Sequence, residues 1–173
     1  MKVGILSDTH RRLDLAEDAI KFLVKEGVKA LIHAGDIELP ETLQMLEETS
    51  LPYTAVFGNN DRHLFHLQTR YNIHKEPYYF KIKDTTFKLM HLPFYLTPDS
   101  DIVIYGHLHR FEYQKTDSCL YLNPGEVCAR KKPRSECAIL DIDNRYEIIY
   151  CYKELPDNIW IKESIKTADP ENL

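Results

Sequence analysis

Two side chains that can bind metal ions follow directly on the first apolar run of the sequence. Residues 3–6 read Val-Gly-Ile-Leu and predict a buried strand, which ends at Ser7. Asp8 and His10 come next, so a carboxylate and an imidazole stand two residues apart at a strand end. This pair alone is weak evidence for a site, because an aspartate after a strand also serves as a helix N-cap.

The same pattern recurs along the chain. Polar residues follow the predicted strands "VKALIHAG" and "YTAVFG", and histidines follow two strands of the second half. The carboxyl ends of parallel strands form the edge where ligands bind, so these side chains are expected to converge. Mixed carboxylate and imidazole ligands suit manganese, iron, zinc or nickel, and their number favours two ions. The candidates are Asp8, His10, Asp36, Asn59, Asp61, His91, His107 and His109.

The elements that must position these residues fall into two groups. In the first half, "RRLDLAEDAIKFLVKEG" predicts a helix with an Asp14–Glu17 capping pair and Gly27 at its end. Pro40 begins a second helix. Strands alternating with helices predict a parallel βαβ arrangement, whereas the short strands after residue 77 predict a mostly antiparallel half. We therefore expect two packed sheets with helices outside.

Size and composition limit the classes of protein that fit. With 173 residues, the chain is predicted to form a single domain over 1–173, with a tail from about 155 that is a terminal helix or a latch around Trp160. The net charge of −5 argues against a protein that wraps nucleic acid. The sequence has no apolar stretch of membrane-span length and no signal-peptide pattern, so we expect a cytoplasmic protein. Its four cysteines form no C-x-x-C pair and are expected to be buried, reduced thiols.

The motifs "SDTH", "GD", "GNND", "H", "GHLH" and "NPGE", in this order, resemble those of the calcineurin-like metallophosphoesterases, above all their small bacterial and archaeal phosphodiesterase branch. The likeness runs from Met1 to about Asp143. It implies a four-layer α/β/β/α sandwich of two mixed β-sheets flanked by helices. It also implies a site for two divalent metal ions. Asp8, His10, Asp36 and His109 would hold one ion, and Asp36, Asn59, His91 and His107 would hold the other.

The resemblance also implies the reaction, which is hydrolysis of small phosphodiesters by a hydroxide shared between the two ions. Manganese is the expected metal, ahead of nickel, iron or zinc. Asp61 would orient the Asn59-Asn60 loop, and Asn123 in the Asn-Pro-Gly turn would shape the site. Asn60 stands at the position of the family's usual histidine proton donor, and His91 is followed by Leu92-Pro93 where relatives often have Gly-His.

Some alternatives remain open at this point. A metal-binding scaffold that catalyses little has the same fold in the retromer coat subunit, and a nuclease would need a basic path. The basic run 130–134 fits a solvated loop better than a substrate contact. Only 14 residues separate His91 from Gly106, so the site is expected to be less covered than in relatives. Either the resulting rim at Phe94–Leu96 or the tail around Trp160 is expected to make a homo-oligomer contact, and no membrane partner is expected.

Overall fold

The parallel strands of the first half form as predicted. The structure is a computed structural model that describes residues 1–143 and 146–167; the end of the predicted tail, 168–173, lies outside the described residues. β1 (Lys2–Leu6) pairs in parallel with β2 (Ala30–His33), and β2 pairs in parallel with β3 (Tyr53–Val56). β4 (Ile73–His74) continues the sheet beyond β3. β1 and β2 are buried on both faces, which explains their continuous apolar sequences.

Three helices connect these strands, and all pack against one apolar cluster on the same sheet. They are α1 (Leu13–Lys25), α2 (Pro40–Glu48) and a 3₁₀ helix over Arg62–Thr69. Pro40 opens α2 as predicted, and Gly27 (φ +81°) follows the end of α1 in the left-handed conformation that a helix C-terminus favours. The predicted Asp14–Glu17 cap is wrong. Arg12 is the N-cap residue without a side-chain cap bond, and its guanidinium donates to Asp14 instead.

The last strands return to the first sheet. After five strands that form the second sheet, β5–β9, the chain continues into β10 (Arg134–Asp141), which pairs antiparallel with β1; β11 (Glu147–Glu154) and β12 (Ile161–Lys166) follow outward. The tail is therefore a strand, and a terminal helix was the wrong alternative for its described part. Its Trp160 stacks on Phe22 of α1, with ring centroids 4.6 Å apart, as the latch alternative expects.

The second sheet is mixed rather than mostly antiparallel. Its strands are β5 (Tyr78–Ile82), β6 (Thr85–Leu89), β7 (Ile102–Ile104), β8 (Phe111–Lys115) and β9 (Leu120–Pro124). Their order is β5-β6-β7-β9-β8, and the three central strands run parallel to one another. The first sheet has the order β12-β11-β10-β1-β2-β3-β4. The second half of the chain is thus shared between both sheets.

The two sheets pack face to face around the main apolar core. Val3 and Ile5 of the first sheet meet Phe87, Leu89 and Ile104 of the second, and all five are fully buried. Each such side chain contributes about 1.5–3 kcal/mol relative to an exposed position. This arrangement confirms the α/β sandwich of two mixed sheets. The sandwich brings the carboxyl ends of strands from both sheets together.

The outer face of the second sheet has a thinner cover. It carries a small apolar cluster that includes Met90, Val103 and Tyr121. The segment between β6 and β7, all of whose residues are described, contains no helix, as the short spacing predicts. All four cysteines are buried and free, as expected. Within residues 1–143 and 146–167, no helix is long and apolar enough to cross a membrane.

Candidate metal centre

The predicted ligands meet at one end of the sandwich, in the loops that follow the central strands. Asp8 N donates to Gly35 O (3.0 Å) and His10 N donates to Asp36 O (2.9 Å), so the loops after β1 and β2 are tied together. The loops after β6 and β7 approach from the second sheet. The first sheet contributes Asp8, His10, Asp36 and Asn59, and the second contributes His91, His107 and His109.

The backbone at this edge adopts an unusual conformation. Five of the candidate ligands have left-handed φ angles, which cost a non-glycine residue roughly 1–2 kcal/mol each. Glycines let the loops approach closely: a Cβ at Gly58 would lie 2.1 Å from Asp36 Oδ1, and one at Gly106 would lie 2.2 Å from Ser7 Oγ. The strained residues are Asp8 (54°), His10 (46°), Asp36 (55°), His107 (68°) and His109 (54°). Such clustering of strain is typical of a functional site.

Two buried aspartates occupy the middle of the cluster. Asp36 Oδ2 lies 3.8 Å from His10 Nε2 and 3.4 Å from His91 Nε2, so one carboxylate oxygen is close to an imidazole on either side. Asp8 Oδ1 lies 3.2 Å from His109 Nε2 and 3.9 Å from His10 Nε2. Asp8 and Asp36 are almost completely buried. Asp36 therefore lies between the two predicted ligand sets.

Three buried histidines present the same ring nitrogen to these carboxylates. His10 Nδ1 contacts Glu38 Oε1 at 2.7 Å, His109 Nδ1 contacts Glu126 Oε2 at 2.5 Å, and His91 Nδ1 contacts the Ala34 carbonyl at 2.8 Å. Because each Nδ1 faces an acceptor, Nδ1 carries the proton in the neutral ring, and the lone pair of Nε2 points at a carboxylate. A cation between nitrogen and carboxylate resolves that repulsion. Carboxylate or carbonyl partners behind metal-binding histidines produce this orientation.

The unpartnered atoms of the cluster support a cation at this place. Asp8 Oδ1 and His10 Nε2 are buried side-chain atoms without a hydrogen bond, and among the side-chain nitrogen and oxygen atoms of the described residues only Thr42 Oγ1 is likewise buried and unpaired. Leaving such atoms unpaired costs about 1–3 kcal/mol each, or more when the group is charged. Ligand atoms of Asp8, Asp36 and His91 also lie within 4.8 Å of one another. The donors present fit the divalent metal ions that the sequence motifs imply.

The pKa values of the two aspartates and of His91 are shifted by burial and by their mutual contacts. Burial raises the pKa of Asp8. Burial acts the same way on Asp36, but contacts with His91 and Asn60 outweigh it and hold the pKa of Asp36 well below its usual range. For His91, burial lowers the pKa, but Asp36 and Asp8 outweigh burial and raise it to about 9. In the metal-free chain, His91 is therefore protonated at neutral pH. Its positive charge compensates the carboxylates of Asp36 and Asp8, which a divalent cation would otherwise neutralise.

The remaining predicted residues lie around this buried group. Asn59 and His107 are exposed; Asn59 Oδ1 is 3.0 Å from His91 Nε2, and the rings of His107 and His91 meet edge to face at 5.2 Å. Asn60 donates to Asp36 through its backbone N–H (3.0 Å) and its side-chain amide (2.7 Å). Asn60 is therefore engaged with the central carboxylate.

Asp61 and Asn123 support the loops. Asp61 is buried and accepts three backbone N–H groups: those of Gly58 (2.7 Å), Glu38 (2.7 Å) and Ile37 (3.1 Å). Asp61 therefore holds the loop after β3 against the loop after β2. The side chain of Asn123 donates to Gly106 O at 2.9 Å and fixes the turn that precedes the two histidines of the second sheet.

Sequence reasoning missed the acidic residues behind the histidines. Glu38 and Glu126 hold two of the rings, and Glu76 accepts the backbone N–H groups of His91 (2.6 Å) and Leu92 (2.8 Å). Glu126 is the last letter of "NPGE", so its place in a motif was the one available signal. Glu38 and Glu76 have no motif at all.

A thiol also borders the site, which the sequence did not suggest. Cys128 is buried, its Sγ donates to Glu126 Oε2 at 3.3 Å, and its backbone N–H donates to Asp8 O at 3.1 Å. A potential ligand atom of Cys128 lies within 4.8 Å of one from His10 and one from His109. Burial and the charge of Glu126 raise the pKa of this thiol, which keeps it protonated in the metal-free chain.

Known proteins are similar to this chain in both sequence and architecture. Residues 1–145 match the sequence profile of the calcineurin-like phosphoesterase superfamily domain. A phosphodiesterase of Methanocaldococcus jannaschii is 30% identical over 158 residues, which cover 84% of this chain and 95% of that protein. The solved structure of an archaeal phosphodiesterase is 29% identical with a TM-score of 0.73, over 87% of this chain and 99% of that one.

A different kind of protein shares the fold as well. Vps29 of Chaetomium thermophilum has a TM-score of 0.76 over 95% of each chain, at 13% identity. Similarity at that level shows a common fold alone, because one fold hosts many functions.

Proposed function

The chain belongs to the calcineurin-like phosphoesterase superfamily and is a phosphoesterase, and we propose that it hydrolyses small phosphodiesters at a centre of two divalent metal ions. The position of Asp36 carries this proposal. One of its oxygens lies within 4 Å of imidazole nitrogens from both sheets, His10 at 3.8 Å and His91 at 3.4 Å. A carboxylate so placed can serve two ions at once.

The proposed ligand sets are those that the sequence motifs imply, and the two contacts of Asp36 are compatible with them. We propose that Asp8, His10, Asp36 and His109 hold one ion, and that Asp36, Asn59, His91 and His107 hold the second. The chemistry that such ions supply is Lewis acidity, which lowers the pKa of water and neutralises the charge that develops on the phosphoryl oxygens. Manganese is the proposed metal, since carboxylate, amide and imidazole ligands all suit it.

The residues of the chain orient and hold these groups. Glu38 and Glu126 fix the rings of His10 and His109, and Asn60 fixes Asp36 through two hydrogen bonds. In the reaction, a water oxygen bonds to phosphorus, the bond to the leaving ester oxygen breaks, and that oxygen must gain a proton. A neutral amide cannot supply this proton near pH 7, so we propose that Asn60 positions Asp36 and that solvent protonates the leaving group.

Two further expectations belong to the same proposal. Four reduced, buried thiols are typical of a reducing compartment, which supports a cytoplasmic location.

The rim at Phe94–Leu96 is exposed, with 73% of Phe94 accessible, which supports a contact between copies of this chain. The same rim is the observation that favours the second candidate function, an interaction scaffold of this fold with little catalysis.

Metal-stripped protein resupplied with manganese, nickel, zinc or magnesium tests the proposal. We expect up to two ions per chain by elemental analysis and hydrolysis of bis(p-nitrophenyl) phosphate, with aryl diesters cleaved far faster than alkyl ones. Proton donation is worth about 10²–10⁴ in rate, so its absence penalises poor leaving groups. Asp36→Asn should weaken both ions and activity, whereas Asp84→Asn in the exposed β5–β6 turn should change neither. Two bound ions without hydrolysis of any diester would favour the scaffold instead.

A further inference from the structure

A groove beside the candidate metal centre is lined by three arginines. It has a volume of about 390 Å³ and shares the side chain of His10 with the centre. That volume falls within the range of about 300–1,000 Å³ found for small-molecule sites. The other residues of its wall are Arg11, Arg12, Glu38, Cys128, Ala129 and Arg130.

The charges of this groove are not balanced. Its wall contains three arginines against the single carboxylate of Glu38. Arg11 pairs with Glu38 (3.1 Å) and Arg12 pairs with Asp14 (2.8 Å). Arg130 is exposed, and its guanidinium has no carboxylate within 4.0 Å in the part of the chain that the structure describes. Arg130 therefore adds a positive charge to the groove wall that has no carboxylate partner among the described residues.

The turn that carries Arg130 is tied to a candidate metal ligand. Glu126 Oε1 accepts the backbone N–H groups of Lys131 (2.8 Å) and Lys132 (3.3 Å), while its Oε2 contacts His109 Nδ1. One carboxylate thus fixes both the imidazole and the turn. These bonds fix the backbone that directly follows Arg130, while the side chain of Arg130 itself is exposed.

Two other cations of the basic run form ion pairs away from the groove. Lys132 Nζ pairs with the buried Glu136 at 2.8 Å, and the guanidinium of Arg134 pairs with Glu154. The interpretation of the run as a solvated loop is therefore wrong for these two residues. Lys131 is exposed like Arg130 but does not line the groove, which makes it a matched control.

We propose that this groove binds a second anionic group of the substrate, with Arg130 as its recognition residue. The preferred substrates would then be phosphodiesters in which one ester arm ends in a phosphate or a carboxylate. A guanidinium presents a planar fork of donors that matches either anion, so both share the chemistry recognised here. The inference rests on the proposed function, because it places the reacting phosphorus at the metal centre.

A series of p-nitrophenyl diesters tests whether Arg130 recognises an anionic ester arm. The second arm ends in a phosphate, a carboxylate or a methyl group of similar length, and kcat/KM is compared within each protein. We expect the wild-type chain to prefer an anionic arm by about tenfold, mainly through KM, as for one charge-assisted hydrogen bond. The two anionic arms show which anion binds better. Arg130→Ala should abolish the preference, Arg130→Lys should keep part of it, and Lys131→Ala should keep all of it.

Binding of non-hydrolysable phosphonate analogues, measured by calorimetry, repeats the comparison without turnover. A wild-type chain that shows no gain from an anionic arm in either measurement overturns the inference, as does Arg130→Ala with an unchanged preference. A preserved binding preference with no hydrolysis of any diester contradicts the proposed function alone.

Discussion

At the scale of single residues, Glu126 accepts more hydrogen bonds than any other side chain near the centre. Its two oxygens receive His109 Nδ1, Cys128 Sγ and the backbone N–H groups of Lys131 and Lys132. Burial raises the pKa of Glu126, but these donors outweigh burial and lower it to about 2. The side chain is therefore ionised at neutral pH and has no room for a donor of its own.

Replacing Glu126 with Gln should weaken metal binding about 10- to 100-fold, which is the range for the partners of metal-binding histidines. The new NH₂ group must face either His109 or the two backbone N–H groups, all of which are donors. Competition with a fluorescent chelator measures the dissociation constant of each ion. Glu17→Gln, at an exposed pair with Lys21 on α1, is the matched control. Unchanged affinity in Glu126→Gln would show that His109 needs no such support.

The sequence predicts the residues of the centre better than it predicts their supports. Asp8, His10 and Asp36 stand shortly after buried strands, so a local pattern was enough to propose them as ligands. Glu38 supports His10 across 28 positions of sequence, and Glu126 supports His109 across 17. Such contacts depend on how loops from different strands meet, and no periodicity records that.

At the scale of elements, the predicted strands and helices are present, but their partners are only partly predictable. β10 and β11 form a hairpin late in the second half of the sequence, yet β10 pairs with β1 and places both strands in the first sheet. Local patterns give a strand and its faces, whereas pairing depends on which apolar faces remain uncovered after the rest of the chain folds. The predicted Asp14–Glu17 cap is wrong because α1 begins at Leu13, so Asp14 lies inside the first turn and accepts hydrogen bonds from Arg12.

A buried lysine holds the loop that forms the rim. Lys88 on β6 is 1% exposed, and its Nζ donates to Thr97 Oγ1 (2.7 Å) and Asp99 Oδ1 (2.9 Å). The ammonium group of Lys88 holds the pKa of Asp99 below its usual range. The loop after β6 thus depends on one polar anchor from within the sheet.

Lys88→Met should release this loop with little loss of global stability. Methionine fills the channel of the lysine stem, and Asp99, whose side chain is 47% exposed, regains water instead of becoming a buried unpaired charge. We expect the free energy of unfolding to change by less than about 1 kcal/mol, while amide exchange in residues 97–101 accelerates. Lys81→Met, on an exposed position of β5, controls for the added methionine. A loss of several kcal/mol would contradict this account.

At the scale of the whole molecule, one buried histidine links stability to pH. His33 lies at the end of β2; Gly35 N donates to its Nδ1 at 3.2 Å, so its Nε2 carries the proton and faces Thr9 Oγ1 at 3.0 Å. Burial lowers the pKa of His33 from 6.5 to about 3. Protonation would place an N–H against the N–H of Gly35.

The metal-free chain should therefore lose stability in acid. Between pH 6.5 and 3, the unfolded chain binds a proton that folded His33 rejects, so the free energy of unfolding falls as pH falls, by up to about 1.4 kcal/mol per pH unit from this group. Denaturant unfolding at pH 7, 6, 5 and 4 measures the slope. His33→Asn keeps an acceptor near Gly35 but cannot titrate, so its slope should be shallower. Equal slopes in both proteins would exclude His33 as the source.

The left-handed backbone at the strand ends restricts which amino acids can replace the candidate ligands during evolution. A replacement residue must adopt a left-handed φ angle, whatever its side chain does. This holds at Asp8, His10, Asp36 and His109. Glycine and asparagine adopt that conformation readily, whereas β-branched residues do so at a high cost. In a lineage released from selection for catalysis, these positions would drift first toward glycine and asparagine and only later toward other types. The architecture would then outlast the activity, and a descendant could keep this sandwich for an unrelated purpose.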